Sequence, residues 1–212
     1  MSRTLSLDAI ILRVFDIGEA DRFCVFFTRE KGRLAARARS VRKTTSRLGG
    51  TLLPFRHIKL QISESEHSSV VTGAADIGDV PVESLPLHAF LRLQRGMELL
   101  LALTEDHEPI PAVFDLLLQF MVLAPADDCD PLSAFQLRLL HLLGLLPASD
   151  TDARFHALAE DAKQFVLACT KTSSLDALCR MPHSQSTIDS FIRLLVGDQL
   201  NRQLKSVGVQ LD

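Results

Sequence analysis

Tryptophan and tyrosine are absent from this chain, so its aromatic chemistry rests on twelve phenylalanines and the histidines. Stacking on nucleic-acid bases ordinarily uses Trp, Tyr or Phe; with so few candidates, any contact with nucleic acid has to be led by phosphate charge and be poor in sequence preference. The four cysteines (Cys24, Cys129, Cys169, Cys179) stand far apart without a C-x-x-C pair. That spacing argues against a zinc knuckle and a disulfide framework, leaving buried free thiols and no cofactor as the expectation. No apolar run approaches the roughly 18 to 20 residues of a membrane span; even residues 99–103 are bounded by Glu98 and Glu105. Asp8 falls where the apolar stretch of a secretory signal would begin, so the cytoplasm is the expected compartment. Catalytic signatures are missing too. There is no G-x-x-x-x-G-K-[ST], H-E-x-x-H, G-x-S-x-G or G-x-G-x-x-G. The cluster Asp127-Asp128-Cys129-Asp130 lacks EF-hand spacing, and Asp130 is wanted as a helix cap. An enzyme is not expected.

What is present is apolar content and a polarised charge. With 212 residues, 47% of them hydrophobic, the chain can fill one large core or two small ones. Ten basic residues (Arg29, Lys31, Arg33, Arg37, Arg39, Arg42, Lys43, Arg47, Arg56, Lys59) but one acid, Glu30, fall within residues 29–59, a net +9. The remainder holds thirteen basic residues against twenty-five acidic ones, a net −12, and the overall −3 conceals the split. Such a block repels itself unless a polyanion relieves it, which points to nucleic acid.

The first 80 residues alternate with the period of strands, in runs 5–15, 22–28, 33–40, 55–63 and 69–76. Between the second and third, Arg29-Glu30-Lys31-Gly32 reads as a hairpin loop with Gly32 supplying a positive φ. In the third run, alternation sends Leu34, Ala36 and Ala38 inward and Arg33, Arg37 and Arg39 outward, a row suited to bidentate phosphate contacts. The plainer alternative is that these arginines only keep the sheet soluble. Arg42, Lys43 and Arg47 follow in a hydrophilic loop, and His57, Lys59 and nearby Phe55 share an outer face of the fourth run. Five short strands with a long link after the third suit an OB-type barrel, a common platform for nucleic acid.

Gly, Pro and acids between residues 76 and 86 mark a boundary, placing a barrel domain at 1–80 and a helical domain at 81–212. Apolar spacing predicts helices over 87–104, from 111 through Met121, from Asp130-Pro131 (cap and first turn) to Gly144, over 153–170, and from a Ser186/Asp189 capping box onward. Residues 175–179 read as a turn. The fold class is thus α+β, a five-stranded OB-fold barrel followed by an all-helical domain.

Several pieces in order resemble the RecO family of bacterial recombination mediators. They are IILRVFDIGEADRFCVFFTREKGRLAARARSVRK, then Ser46-Arg47 with Leu52-Leu53-Pro54-Phe55, Glu98-Leu99-Leu100 with Glu108-Pro109 and Phe114, Phe135-Gln136-Leu137-Arg138-Leu139-Leu140 running to Gly144 and Pro147, and Leu204-Lys205-Ser206. The resemblance implies a DNA-binding, non-enzymatic protein of recombinational repair, acting at the nucleoid. It would bind single- and double-stranded DNA, anneal strands and, with the partner RecR, help load the RecA recombinase onto DNA coated by single-strand-binding protein. By position it assigns DNA contact to Arg33, Arg37, Arg39, Arg42, Lys43 and Arg47, to which the outer-face reading adds His57 and Lys59. Docking of the acidic, phenylalanine-ended tail of single-strand-binding protein would fall to Arg138, although the basic pair some members place before this Phe is here Ser133-Ala134. The four-cysteine zinc site of many members has no counterpart after residue 147, so no zinc is expected. The rival reading is a protein-interaction module whose basic barrel edge docks an acidic partner.

Overall fold

The computed structural model describes residues 3–44, 46, 48–66, 68–78, 80–147 and 152–206, with side chains to residue 199 in the last helix. The chain forms two compact units, Met1–Leu85 with Thr104–Phe114, and Pro86–Leu103 with Asp115–Asp212.

In the first unit, β1 (Arg3–Ile17), β2 (Asp21–Thr28), β3 (Gly32–Ala38), β4 (His57–Ser65) and β5 (Ser68–Asp76) close into a barrel in the order β1-β2-β3-β5-β4. Neighbours are antiparallel except β3 and β5, which meet in parallel at Arg37 and Val70. Period-2 alternation fills the interior with Leu7, Ala9, Ile11, Cys24, Phe26, Leu34, Ala36, Ala38, Ile58, Leu60 and Ile62, and Val41 and Leu52 of the β3–β4 loop join them. Phe55 departs from its sequence reading. It lies before β4 rather than in it, at φ 68°, is buried, and gives its N–H to the Ile11 carbonyl at 2.8 Å.

The β2–β3 hairpin follows the expectation for Gly32, whose φ is +65°. The buried Thr28 hydroxyl closes the turn, donating to the Gly32 carbonyl at 3.0 Å and accepting from the Lys31 N–H at 3.1 Å. Gly32 has a second reason to lack a side chain, because the returning segment 104–114 crosses it: a Cβ there would lie 1.9 Å from the Glu108 carbonyl oxygen. Gly32→Ala is therefore expected to lower the unfolding free energy by about 3 kcal/mol, combining left-handed strain with displacement of packed backbone. Urea unfolding checks this; a variant as stable as the parent would mean that the segment does not rest on the turn.

The second unit is helical, with α1 (Leu87–Leu103), α2 (Pro111–Leu123, its first turn in the barrel unit), α3 (Leu132–Leu142), α4 (Ala153–His156), α5 (Glu160–Lys171), α6 (Leu175–Cys179) and α7 (Gln185–Ser206). The buried α3 packs against α1, α5, α6 and α7. Phe135 of α3 stacks on Phe120 at 4.2 Å between ring centroids, a fit that requires Gly96, where a Cβ would come within 2.4 Å of the Phe120 ring.

Four expectations change here. The single helix over 153–170 is interrupted between α4 and α5 although no Gly or Pro stands there. Residues 175–179 form a short helix, capped by the Ser174 side chain. The Ser186/Asp189 capping box does not form; α7 opens at Gln185, and Asp189 instead accepts from the buried Ser133 hydroxyl and the Gln185 amide. Finally, Cys129 and Cys179 are disulfide-bonded, with Cα atoms 5.7 Å apart, across 50 residues. Spacing along the chain is blind to a bridge that packing creates. Cys24 and Cys169 are buried free thiols, as expected, and burial pushes them up to about 11 and about 12 respectively.

The acid cluster before α3 is occupied by cations. Asp128 pairs with Arg180, and Asp130 pairs with Arg92 at 3.2 Å while accepting the Leu132 N–H at 3.0 Å. Asp130 thus serves the first turn of α3 from one residue outside the cap, which Pro131 occupies.

Candidate nucleic-acid interface

The outer face of β1, β2 and β3 follows from strand register and one irregularity. Four consecutive residues of β1, Ala9 to Leu12, are buried, and the register with β2 shifts between Ile11 and Arg13. The shift reverses the inside–outside phase, as a bulge does. Val14 then packs against the barrel core while Arg13, Phe15 and Ile17 are exposed. Rows of side chains cross the three strands on this outer side. Phe15 stands beside Phe23, and Phe23 beside Arg37; Arg13 stands beside Val25, and Val25 beside Ala35. Arg39 follows Arg37 by two residues, just past the end of β3.

The loop after β3 joins this end of the sheet. Arg42 donates from its backbone to the Ala20 carbonyl and from Nη1 to the Gly18 carbonyl, both at 2.9 Å, and its Nε lies 3.3 Å from Asp16. Arg22 holds the same loop from within, donating to the Gly49 and Leu52 carbonyls while pairing with Asp16 at 3.1 Å. Arg37 pairs with Asp21 at 2.7 Å yet keeps half its side chain in solvent. Asp21 also accepts the Ser40 N–H at 2.7 Å; that bond first, and Arg37 second, hold its carboxyl below the usual carboxylate range. Arg39 and Lys43 are exposed and make no ion pair among the described residues.

The sequence-predicted residues separate into two places. Arg37, Arg39, Arg42 and Lys43 come together at the β1–β2 tip. Arg33 sits four residues along β3, about 13 Å away at strand rise, and pairs with Asp106 at 2.5 Å. The expected row of three arginines, with Ala35 interrupting it, thus has Arg33 paired at one end, because the returning segment 104–114 supplies a carboxylate there. His57 also lies at that end, with Nε2 2.6 Å from Asp8 and its ring edge against Phe114. Lys59 is exposed opposite Asp8 on β1. Arg47 lies outside the described residues. In the helical unit, Arg138 donates to the Cys169 carbonyl at 2.8 Å and the Thr170 carbonyl at 3.5 Å, neutralising the carbonyl end of α5.

The charge count changes accordingly. Lys31 pairs with Glu64, and Arg56 with Asp76 and Glu83, so acids remote in sequence reach the basic block. Among the described residues, six cations at the β1–β2 tip (Arg13, Arg22, Arg37, Arg39, Arg42, Lys43) face three carboxylates (Asp16, Glu19, Asp21), a local excess of +3 against the +9 of the linear window. Sequence reasoning missed Arg13, Phe15 and Phe23 as outer-face residues. The run Ala-Ile-Ile-Leu, too apolar for simple alternation, is the signal of the bulge that places the first two there.

Residues 1–78 match the family described as "Recombination protein O N terminal", and residues 87–206 match "Recombination protein O C terminal". The chain is 36% identical over 115 residues to "DNA repair protein RecO" of Myxococcus xanthus, covering 54% of this chain and 47% of that protein. It is 33% identical over 114 residues to the protein of the same name in Cutibacterium acnes (51% and 45%), and 46% identical over 67 residues to that of a Nocardioides species (32% and 28%). The alignments thus span about a quarter to a half of the length of these relatives. With both halves matched in order, and with a barrel in the first and helices in the second, the chain belongs to the RecO family, recombination protein O.

Proposed function

We propose that this protein binds DNA in recombinational repair, anneals complementary strands, and with a RecR partner helps load a RecA recombinase onto strands coated by single-strand-binding protein. The nucleoid is its place of work, and catalysis is not its role. The observation that carries the reading is the cluster of Arg13, Arg37, Arg39, Arg42 and Lys43 at one end of an open sheet face, next to few acids. Family membership and the name of the relatives, DNA repair protein, point the same way. Arg37 and Arg42 exchange a carboxylate for a phosphate when DNA arrives, whereas Arg39 and Lys43 make no ion pair among the described residues. Annealing follows from the same electrostatics, since strands whose phosphates are neutralised repel each other less. Partner contact is assigned to the helical unit, with Arg138, whose Nη1 donates to the α5 carbonyls, as its candidate cation.

Five engaged cations set the expected salt dependence. Log affinity should fall against log salt with a slope of about −4.5 on duplex and about −3.5 on single strands, from roughly 0.9 and 0.7 released counterions per contact. Fluorescence anisotropy over a salt series measures it. A slope near zero would remove the phosphate mechanism. Absence of any oligonucleotide binding at about 50 mM salt, where such contacts are strongest, would favour the rival in which the same cations dock an acidic protein.

A further inference from the structure

The outer face of β1 and β2 carries more than charge. Beside the cations it presents Phe15, 46% exposed, Ile17, 39% exposed, and the half-buried Phe23 and Val25. A solvated sheet face alternates to polar residues, and electrostatic attraction to phosphate gains nothing from aromatic rings. Phe15 and Phe23 are register partners on adjacent strands, about 4.8 Å apart at sheet spacing. Arg37 ends that row, and the Arg13 guanidinium lies over the Phe15 ring, 5.5 Å from its centre, in a cation–π contact that an incoming base would exchange for stacking. The face therefore offers an apolar pair of rings with one cation over Phe15 and another at the end of the row. Its complement is a ligand with exposed flat rings at short intervals along an anionic backbone. Single-stranded DNA has that chemistry; duplex DNA hides the faces of its bases within the stack.

We propose that Phe15, backed by Phe23, is a base-stacking site for single-stranded DNA, with Arg37 and Arg39 taking the adjoining phosphates. The inference rests on the DNA-binding reading above and adds to it a preference: Phe15 contributes to single-strand affinity and nothing to duplex affinity. Phe15→Leu keeps an apolar side chain at a half-exposed position and removes only the ring. Because the chain has no tryptophan or tyrosine, Phe15→Trp places a sole indole reporter at the site.

The test compares the parent protein and these two variants on a thymidine oligomer, an abasic oligomer of equal length and a duplex, after circular dichroism has verified folding. The parent should bind the thymidine oligomer roughly 5- to 150-fold more tightly than the abasic one, the range set by one aromatic–base contact. Phe15→Leu should bring the two near parity while leaving duplex affinity unchanged. Phe15→Trp should keep the difference, and the thymidine oligomer should quench its emission where the abasic one does not. Equal parental affinity for the two oligomers, equal loss of single-strand and duplex binding in Phe15→Leu, or an unquenched indole at saturation would each overturn the site. If the parent binds none of the three ligands, the DNA-binding reading fails, and the stacking site with it. If instead the parent shows the expected salt slope but no discrimination against the abasic strand, only the stacking site fails.

Discussion

Arg39→Glu combined with Lys43→Glu should lower affinity for every DNA sequence, single- or double-stranded, by about 100-fold near 0.1 M salt. At that salt each phosphate contact contributes roughly 0.9 log unit on duplex and roughly 0.7 on single strands through counterion release, so two lost contacts account for about 60-fold and about 25-fold respectively and the new repulsion for the rest. Both residues are exposed and without ion-pair partners among the described residues, so the fold should be unchanged. Arg37 suits this test less, because a glutamate there would face Asp21, which also holds the Ser40 N–H. Arg22 suits it least. Its guanidinium ties the β3–β4 loop to β2, so its loss should appear first as instability. Anisotropy titrations at several salt concentrations provide the check: the double variant should have a slope shallower by about 2 and approach the parent near 1 M salt. Unchanged affinity at low salt would exclude this end of the barrel as the DNA surface.

Opening the Cys129–Cys179 bond, by reductant or by Cys179→Ser, should lower the unfolding free energy of the helical unit by about 4 kcal/mol. The figure is the loop-closure cost for the 50 residues between the two cysteines. One ion pair, Arg180 to Asp128, links the same elements, whereas Arg180 to Asp176 lies within α6 and its C-cap. Both are exposed to solvent, where ion pairs add little to stability, so they do not replace the covalent link. Under reducing conditions the loop before α3 and the short α6 should therefore be the first parts of this unit to open. Thermal unfolding with and without reductant measures the loss. Counting alkylatable thiols in the denatured, unreduced protein gives an independent reading, with two expected, Cys24 and Cys169, rather than four. Four reactive thiols, or a transition indifferent to reductant, would refute the bridge.

The strands and most helices were legible because both depend on local periodicity. Alternation in residues 33–38 places Leu34, Ala36 and Ala38 inside the barrel, and the structure agrees. The apolar stripes of α2 and α3 and the free, buried states of Cys24 and Cys169 followed in the same way, but that of α1 did not: Leu87, Phe90, Leu91 and Gln94, which share the helical spacing, are exposed, while Ala89, Leu93, Gly96 and Leu99 are buried. Phe55 misled because a strand-like run says nothing of a left-handed residue at its start, and His57 because the segment that covers it, 104–114, lies nearly fifty residues further on. The interruption between α4 and α5 has no residue to announce it.

By itself the sequence determined the order of strands and helices, the inward faces of the barrel and the presence of a basic block, since these rest on side-chain period and on net charge along the chain. Tertiary structure alone decided which cations are free to meet an anion. Asp106, Asp76, Glu83 and Glu64 reach the block from outside it and occupy Arg33, Arg56 and Lys31. The bulge in β1 turns Arg13 and Phe15 outward beside Arg37, and packing brings Cys129 to Cys179. Pairing energy depends on distance in space, not along the chain, so a count of charges in a window overstated the site and missed the aromatic residues at its centre.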